Sequence, residues 1–283
     1  MKIDLHAHST HSDGSLSPLA LATLAIEANL DMFALTDHDQ ISGIKELASA
    51  LQSTSIKPSI RLIPGAELTS SWRHIEIHIL ALAINLDCPA LNQHLHQQIQ
   101  RRRQRLEKYV EQIIDHAGLS HAQIGGLNNC LASHWHCPTR THLAAALVES
   151  GICTNKRAAF QRFLKTSPNS VSWPDLAETI SIIHQAGGHA ILAHPFHYGL
   201  KTKAIRNLIN HFHADGGDGI EFSIPVLHHP PRRQLLAQYC QQYDLCASVG
   251  SDFHQPNRPL GWTVNQSLPN PIWQRLAAVE NAL

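Results

Sequence analysis

The sequence predicts an α/β protein in which parallel βα units build an open sheet or a barrel, interrupted by one all-helical segment. Three observations carry this prediction. Seven short apolar runs of strand length are mostly separated by stretches of helical periodicity, the pattern of parallel βα architecture. Between about residues 89 and 172 the strand signal vanishes and apolar residues recur only at helical spacing. Almost every predicted strand ends in a histidine or an acid, at the end where βα loops converge on an active site.

Lys2–Leu5 reads as the first strand. Ser17–Pro18 then offers an N-cap followed by proline at the first helical position, opening a helix to about Asn29. Met32–Leu35 is the next strand, and Ser42 is read as the cap of a helix running to about Leu51. Arg61–Ile63 and Ile75–Leu82 are two further strands. After the interruption come a helix at Asp175–Ala186, a strand at His189–Ala193 and a helix at Thr202–His213. A strand at Gly219–Phe222, a helix at Arg232–Tyr243 and a strand at Leu245–Val249 complete the series. Within the interruption Leu106, Tyr109, Val110, Ile113 and Ile114 form one apolar stripe, and Leu143, Ala146 and Leu147 another. The run from Gly125 to Asn129 is read as a turn between them. The expected organisation is an α/β domain of residues 1–88 and 173–283 carrying a helical insertion, 89–172.

Composition narrows the function. The chain has 283 residues, 43% of them hydrophobic, enough for a full-sized core. Its 22 Lys and Arg balance 22 Asp and Glu, and only 16% of residues are charged. That balance argues against a general nucleic-acid coat or a polybasic membrane binder. No apolar run approaches the ~20 residues that span a bilayer, and MKIDLHAHST lacks the apolar core of a secretory signal. The six cysteines contain no CxxC pair and read as reduced thiols. Cys130, His134, His136 and Cys137 lie close together but lack a two-knuckle zinc pattern. The expectation is a cytoplasmic protein with a small substrate, no membrane contact and no obligate protein partner.

The unusual number is 22 histidines, as many as all the acids together. His6 and His8 follow the first strand, with Asp13 in the loop; Asp37 and His38 follow the second; Glu67 follows the third. His78 lies in the fourth, His194 follows the fifth, Glu221 ends the sixth, and Asp252 and His254 follow the seventh. Side chains alternate along an extended segment, so His6 and His8 point to one side. Imidazole and carboxylate without thiolate suit Mn, Fe or Zn. Nine candidate donors (His6, His8, Asp13, His38, Glu67, His78, His194, Asp252 and His254) are too many for one ion. A cluster of two or three metals is the economical inference, with a carboxylate bridging neighbours. Asp37 is read as orienting an imidazole, Glu221 is left open between that role and a sheet-end residue, and His11 is read as a decoy.

DLHAHSTHSDG, ALTDHD, PGAELT, LAHP and GSDFH, in that order, resemble the successive motifs of the PHP (polymerase and histidinol phosphatase) superfamily. The string TRTHLAAALVESG narrows the resemblance to the TrpH/YciV-type phosphoesterases. The resemblance implies a distorted seven-stranded (βα)7 barrel with three divalent ions, Mn2+ first, with Zn2+ or Fe2+ as alternatives. It groups His6, His8, Glu67 and Asp252 around one ion, Glu67, His78 and His194 around a second, and Asp13, His38 and His254 around the third. The implied activity removes the 3′-phosphate of nucleoside 3′,5′-bisphosphates and trims 5′-phosphorylated RNA or oligonucleotides from 5′ to 3′. A metal-bridging hydroxide would attack phosphorus, with Glu67, His194, Asp252 and His254 as the catalytic candidates. Arg140 would hold substrate phosphate, with His142, His197 and Tyr198 as further candidates for substrate binding.

One departure stands out. Where the group commonly continues Gly-Arg-Tyr, this chain has Phe196–His197–Tyr198. The run Arg101–Arg105 is read as the solvated face of the first inserted helix. The competing readings are a histidinol-phosphate-type monophosphatase, a non-catalytic nucleic-acid-binding accessory domain and a metal store. The complete donor set speaks against the vestigial site that the accessory reading needs, and the lack of thiolates against storage.

Overall fold

The structure, a computed structural model, describes residues 1–53, 60–165, 171–264 and 268–278. Contacts divide the chain into two compact units, Met1–His94 with Pro174–Leu283, and Leu95–Trp173. In chain order the elements are β1 (Lys2–Asp4), α1 (Pro18–Glu27), β2 (Met32–Leu35), α2 (Ser42–Gln52), β3 (Arg61–Trp72) and β4 (Ile75–Leu82). Then follow α3 (Pro89–Ala117), α4 (His121–Ala132), α5 (Arg140–Glu149) and α6 (Lys156–Arg162). The chain closes with α7 (Leu176–Gln185), β5 (His189–Leu192), α8 (Thr202–Ala214), β6 (Gly219–Glu221), α9 (Ile224–Leu227), α10 (Pro230–Tyr243), β7 (Cys246–Ser248), β8 (Trp262–Thr263) and α11 (Ile272–Ala278).

The first unit is an α/β fold around one curled sheet, ordered β7-β6-β5-β4-β3-β2-β1-β8. Among the described residues it has eight strands, not the expected seven. The addition, β8, has two residues and pairs antiparallel with β1, too short to leave a periodic signal. Nor is the sheet wholly parallel: β4 runs antiparallel to both β3 and β5. The cause is a tight hairpin. Strand β3 runs on to Trp72, and Arg73 and His74 turn the chain with φ of 50° and 65°. Two consecutive positive φ values make the two-residue turn that antiparallel strands favour, but neither residue is the Asn or Gly that announces it.

The sheet curls until its ends meet through segments beyond the strands. The Leu5 N–H donates to the Val249 carbonyl at 3.1 Å, the His8 N–H to that of Phe253 at 2.8 Å, and the Asp252 N–H to that of His6 at 2.9 Å. Helices α1 and α2 cover one side, where Leu21, Phe33, Leu47 and Phe253 are wholly buried in one apolar cluster. Ser17 caps α1 by accepting the Ala20 N–H, with Pro18 opening the helix. Ser42 does not cap α2. It is the first helical residue, and its hydroxyl meets the His11 imidazole at 2.7 Å.

The second unit is helical. Leu106, Tyr109 and Ile113 of α3 pack with Leu127 and Leu131 of α4 and Leu143 and Leu147 of α5. The expected turn at 125–129 lies inside α4 instead. A capping box between Ser120 and Gln123 starts that helix, and burial of Leu127 and Leu131 outweighs the cost of two glycines. Arg102 and Arg105 are not on a solvated face either. Each is at most 3% exposed, and their guanidinium groups lie 5.9 Å and 4.8 Å from the Trp173 ring.

Candidate metal centre

The loop after β1 places the first donors. Ser12 and Gly14 both direct their N–H groups to the Ser9 carbonyl, folding the loop so that Asp13 faces inward. A Cβ at Gly14 would lie 2.2 Å from the His8 carbonyl oxygen, so the turn requires glycine. The Asp37 carboxylate accepts the Ser9 N–H at 2.7 Å and the Ser9 and Ser12 hydroxyls at 2.6 Å. Ser12 lies 3.3 Å from His8 Nδ1, so Asp37 steadies that imidazole through a serine.

All nine anticipated donors converge. The groups whose ligand atoms lie within 4.8 Å of one another draw on His6, His8, Asp13, His38, Glu67, His78, His194, Asp252 and His254, and on no other described residue. His6 Nε2 and His8 Nε2 are 3.1 Å apart, each 3.4 Å from Asp252 Oδ1 and 3.4 Å and 3.3 Å from the Glu67 oxygens. Donors about 2.1 Å from a common centre stand about 3.0–3.4 Å apart at octahedral to tetrahedral angles. Glu67 Oε1 also meets His78 Nδ1 and His194 Nε2, both at 2.9 Å, while Oε2 lies 2.8 Å from His38 Nδ1. Asp13 Oδ1 stands 3.3 Å from His254 Nε2 and 3.6 Å from His38 Nε2.

Two features fit a cation among these groups. The buried oxygens Asp13 Oδ1 and Glu67 Oε2 make no hydrogen bond, an expensive condition that an ion relieves. The donors are nitrogen and oxygen only, the preference of Mn, Fe and Zn. Burial alone would raise the Glu67 carboxyl, but the imidazoles of His78, His38 and His6 outweigh it and hold the group well below the usual carboxylate range. Burial, with His254 and His38 alongside, pushes His8 down to about 3, leaving it a neutral ligand. His78 and His254 go the other way. Burial is outweighed by Glu67 for the first and by Asp13 and Asp252 for the second, and both rise to about 9.

Further supports surround the donors, and Glu221 takes the orienting role that the sequence left open. Glu221 is fully buried, with Oε1 3.0 Å from His6 Nδ1 and Oε2 accepting the His194 N–H at 2.7 Å. That bond helps hold His194 at φ 27°; Asp252, at φ 53°, is strained in the same sense. Asp4 accepts N–H groups from His6, Ser251 and Gly261, joining β1 to the segments after β7 and before β8. Asp39 accepts the Thr69 N–H and hydroxyl, tying the loop after β2 to β3.

The anticipated substrate residues fall in different settings. The Tyr198 hydroxyl accepts the His78 N–H at 3.0 Å and donates to the Ala193 carbonyl at 2.8 Å, bracing two backbone segments. His197 is exposed and stacks on His194 with ring centroids 5.0 Å apart. In the second unit, His142 completes a capping box with Thr139 at the start of α5 and stacks on His134. Arg140 is the first residue of that helix and lines a small cleft with Arg102 and Arg105. His11 stands apart from the donors, bonded to Ser42 and Glu46. Cys130 and Cys137 belong to no convergent donor group, and all six cysteines are free.

Glu67 lies inside the long β3 rather than after it, and His78 inside β4; a curled α/β sheet that gathers these with imidazoles and carboxylates from the loops beyond its other strands defines a metal-dependent hydrolase. The PHP domain family matches residues 4–278, and the chain belongs to that family, making it a metal-dependent phosphoesterase acting on phosphate esters. It is 37% identical to a 5′-3′ exoribonuclease of Haemophilus influenzae, over 97% of this chain and 98% of that one. It is 34% identical to a 3′,5′-nucleoside bisphosphate phosphatase of Chromobacterium violaceum, over 98% and 96%. A solved structure of an amidohydrolase from Chromobacterium violaceum with bound sulfate superposes with a TM-score of 0.83 at 33% identity, covering 98% of this chain and 96% of that one. Among the described residues no helix is long and apolar enough to cross a membrane.

Proposed function

We propose that the protein removes the 3′-phosphate from nucleoside 3′,5′-bisphosphates and trims 5′-phosphorylated RNA from 5′ to 3′. The observation that carries this reading is the convergence of nine nitrogen and oxygen donors on one another. The relatives that act on a nucleoside bisphosphate and on RNA support the substrate class. His6, His8, Glu67 and Asp252 would hold one divalent ion, Glu67, His78 and His194 a second, and Asp13, His38 and His254 a third, with manganese the expected metal. Such ions supply Lewis acidity, lowering the pKa of water and neutralising charge on the phosphoryl oxygens.

The chain's own groups complete the site. Glu67 stays ionised and supplies a carboxylate within reach of five imidazoles. Glu221 orients His6 from the far side of its ring. His194 and His254 stand at the rim of the cluster, 6% exposed and half-buried respectively, and as ion ligands they would leave the proton of the leaving oxygen to be supplied by water. Arg140, the first residue of α5, would hold a second phosphate through paired N–H groups. The helical segment 89–172 would then set the substrate range. Nucleotide chemistry and six free thiols suit a cytoplasmic setting.

The test is phosphate release from adenosine 3′,5′-bisphosphate by manganese-loaded protein, with product identification and a metal-stripped control. Metal-dependent formation of adenosine 5′-monophosphate is expected. Adenosine 3′-monophosphate as the product, or no release, would overturn the assignment of the 3′-phosphate.

A further inference from the structure

Outside the donor cluster, the first unit carries a basic groove that the reaction above does not use. It encloses about 510 Å³ at the N-terminal ends of α8 and α10. Lys201, Arg206, His229 and Arg232 line it, and no carboxylate does. In a chain whose 22 Lys and Arg balance 22 Asp and Glu, three Lys and Arg lining one groove without an acid among its lining are a sorted patch. The wall of the groove is Phe196, with the Arg232 guanidinium 4.9 Å over its ring. Phe196 also lies on the segment that carries His194 and His197, whose rings stack beside the donors. Groove and cluster are therefore two sides of one short loop.

The arrangement discriminates between anions. A single phosphate is held by buried donors converging on a point, whereas the three cations Lys201, Arg206 and Arg232 are all exposed and spread along a groove, with His229 between them accepting the Arg232 N–H as the cap of α10. Dispersed cations beside a stacking surface match a repeating polyanion with bases, the chemistry of single-stranded nucleic acid. Lys201 caps α8 without a side-chain hydrogen bond, so the positive end of that helix adds to the same field. We propose that this groove binds the phosphodiester backbone of single-stranded RNA whose end is processed at the donor cluster, with Phe196 and Arg232 offering a stacking face to a base. The proposal rests on the RNA-trimming half of the function proposed above.

The test is steady-state kinetics of the manganese-loaded protein on a 5′-phosphorylated oligoribonucleotide, with adenosine 3′,5′-bisphosphate as the internal reference in each variant. Removing two of the exposed cations (Arg206→Ala with Arg232→Ala) raises KM for the RNA about tenfold and makes its logarithmic salt dependence shallower by about 1.4. Phe196→Gly raises the same KM about tenfold and leaves the salt dependence unchanged, because stacking carries no counterions. An unchanged RNA KM in the double variant overturns the proposal, and so does an equal rise in KM for both substrates. If the wild-type protein leaves the bisphosphate intact while the double variant weakens RNA, the bisphosphate reading fails and the groove stands.

Discussion

Replacing Glu221 by glutamine tests whether the donor cluster is positioned from outside. The carboxylate is wholly buried and serves two donors, His6 Nδ1 at 3.0 Å and the His194 N–H at 2.7 Å. An amide of the same shape has one oxygen, so one of these donors must face an NH2 group. If His6 loses, its proton moves to Nε2, the atom that lies 3.1–3.4 Å from His8, Glu67 and Asp252 and would coordinate an ion. If His194 loses, a buried N–H is orphaned at a residue already held at φ 27°. Either outcome costs about 1–3 kcal/mol, the penalty of an unmet buried donor. That range agrees with the roughly 10–100-fold loss of metal affinity seen when an outer hydrogen-bond partner is removed. Manganese binding to chelator-stripped Glu221→Gln, followed by calorimetry, should weaken by that factor, with turnover falling in parallel at limiting metal. Wild-type affinity together with wild-type turnover at limiting metal would refute the argument that Glu221 sets the His6 tautomer.

Three further outcomes follow from the same geometry. Gly250→Ala would bring a Cβ to 2.3 Å from the His6 Cβ and 2.6 Å from Glu221 Oε1, so turnover should drop at least tenfold while Gly125→Ala, with open space around its Cβ, keeps full activity; equal activity of the two would count against it. Tyr198→Phe orphans the His78 N–H and the Ala193 carbonyl and should cost about 1–3 kcal/mol in a denaturant titration, with KM for the bisphosphate unchanged; a large KM effect with unchanged stability would make the phenol a substrate contact instead. In metal-free protein His78 and His254 titrate near 9 against an unfolded value near 6.5, so the stability they contribute is complete below about pH 6.5 and lost as pH rises through 9. The melting temperature of chelated protein should fall across that window, and metal uptake near pH 7.5 should release a proton from each, read by calorimetry in buffers of different ionisation enthalpy; uptake without proton release would contradict the raised values.

The strands of the first unit were legible because each is a short apolar run between turn residues, and β4 was read to the residue. What escaped depended on partners far along the chain. Strand β3 was read only to Ile63, yet its pairing continues to Trp72 through eight residue pairs with β4, a partner that residues 64–72 do not themselves announce. Packing against Leu127 and Leu131 likewise overrode the glycine signal in α4. The arginine run looked like a solvated face because nothing near it announces Trp173, the ring on which Arg102 and Arg105 lie.

The same division runs through the site. Seven of the nine donors were readable because they follow a strand in the loop beyond it, whereas Glu67 and His78 lie inside β3 and β4 and were readable by residue type. Their supports were readable only in part: Asp37 reads as orienting an imidazole, but the serine through which it reaches His8 does not show. Asp4 looks like an ordinary strand residue until it is seen holding Ser251 and Gly261, some 250 positions away in the chain. Glu221 could be named as a strand end but not paired with His6, 215 positions earlier. A donor declares itself by residue type and spacing, whereas a positioning group is defined only by the side chain it touches. Variation that changes ion affinity without touching a donor should therefore concentrate at Asp4, Asp37, Glu221 and Gly250, residues whose sequence neighbours reveal little of what they hold in place.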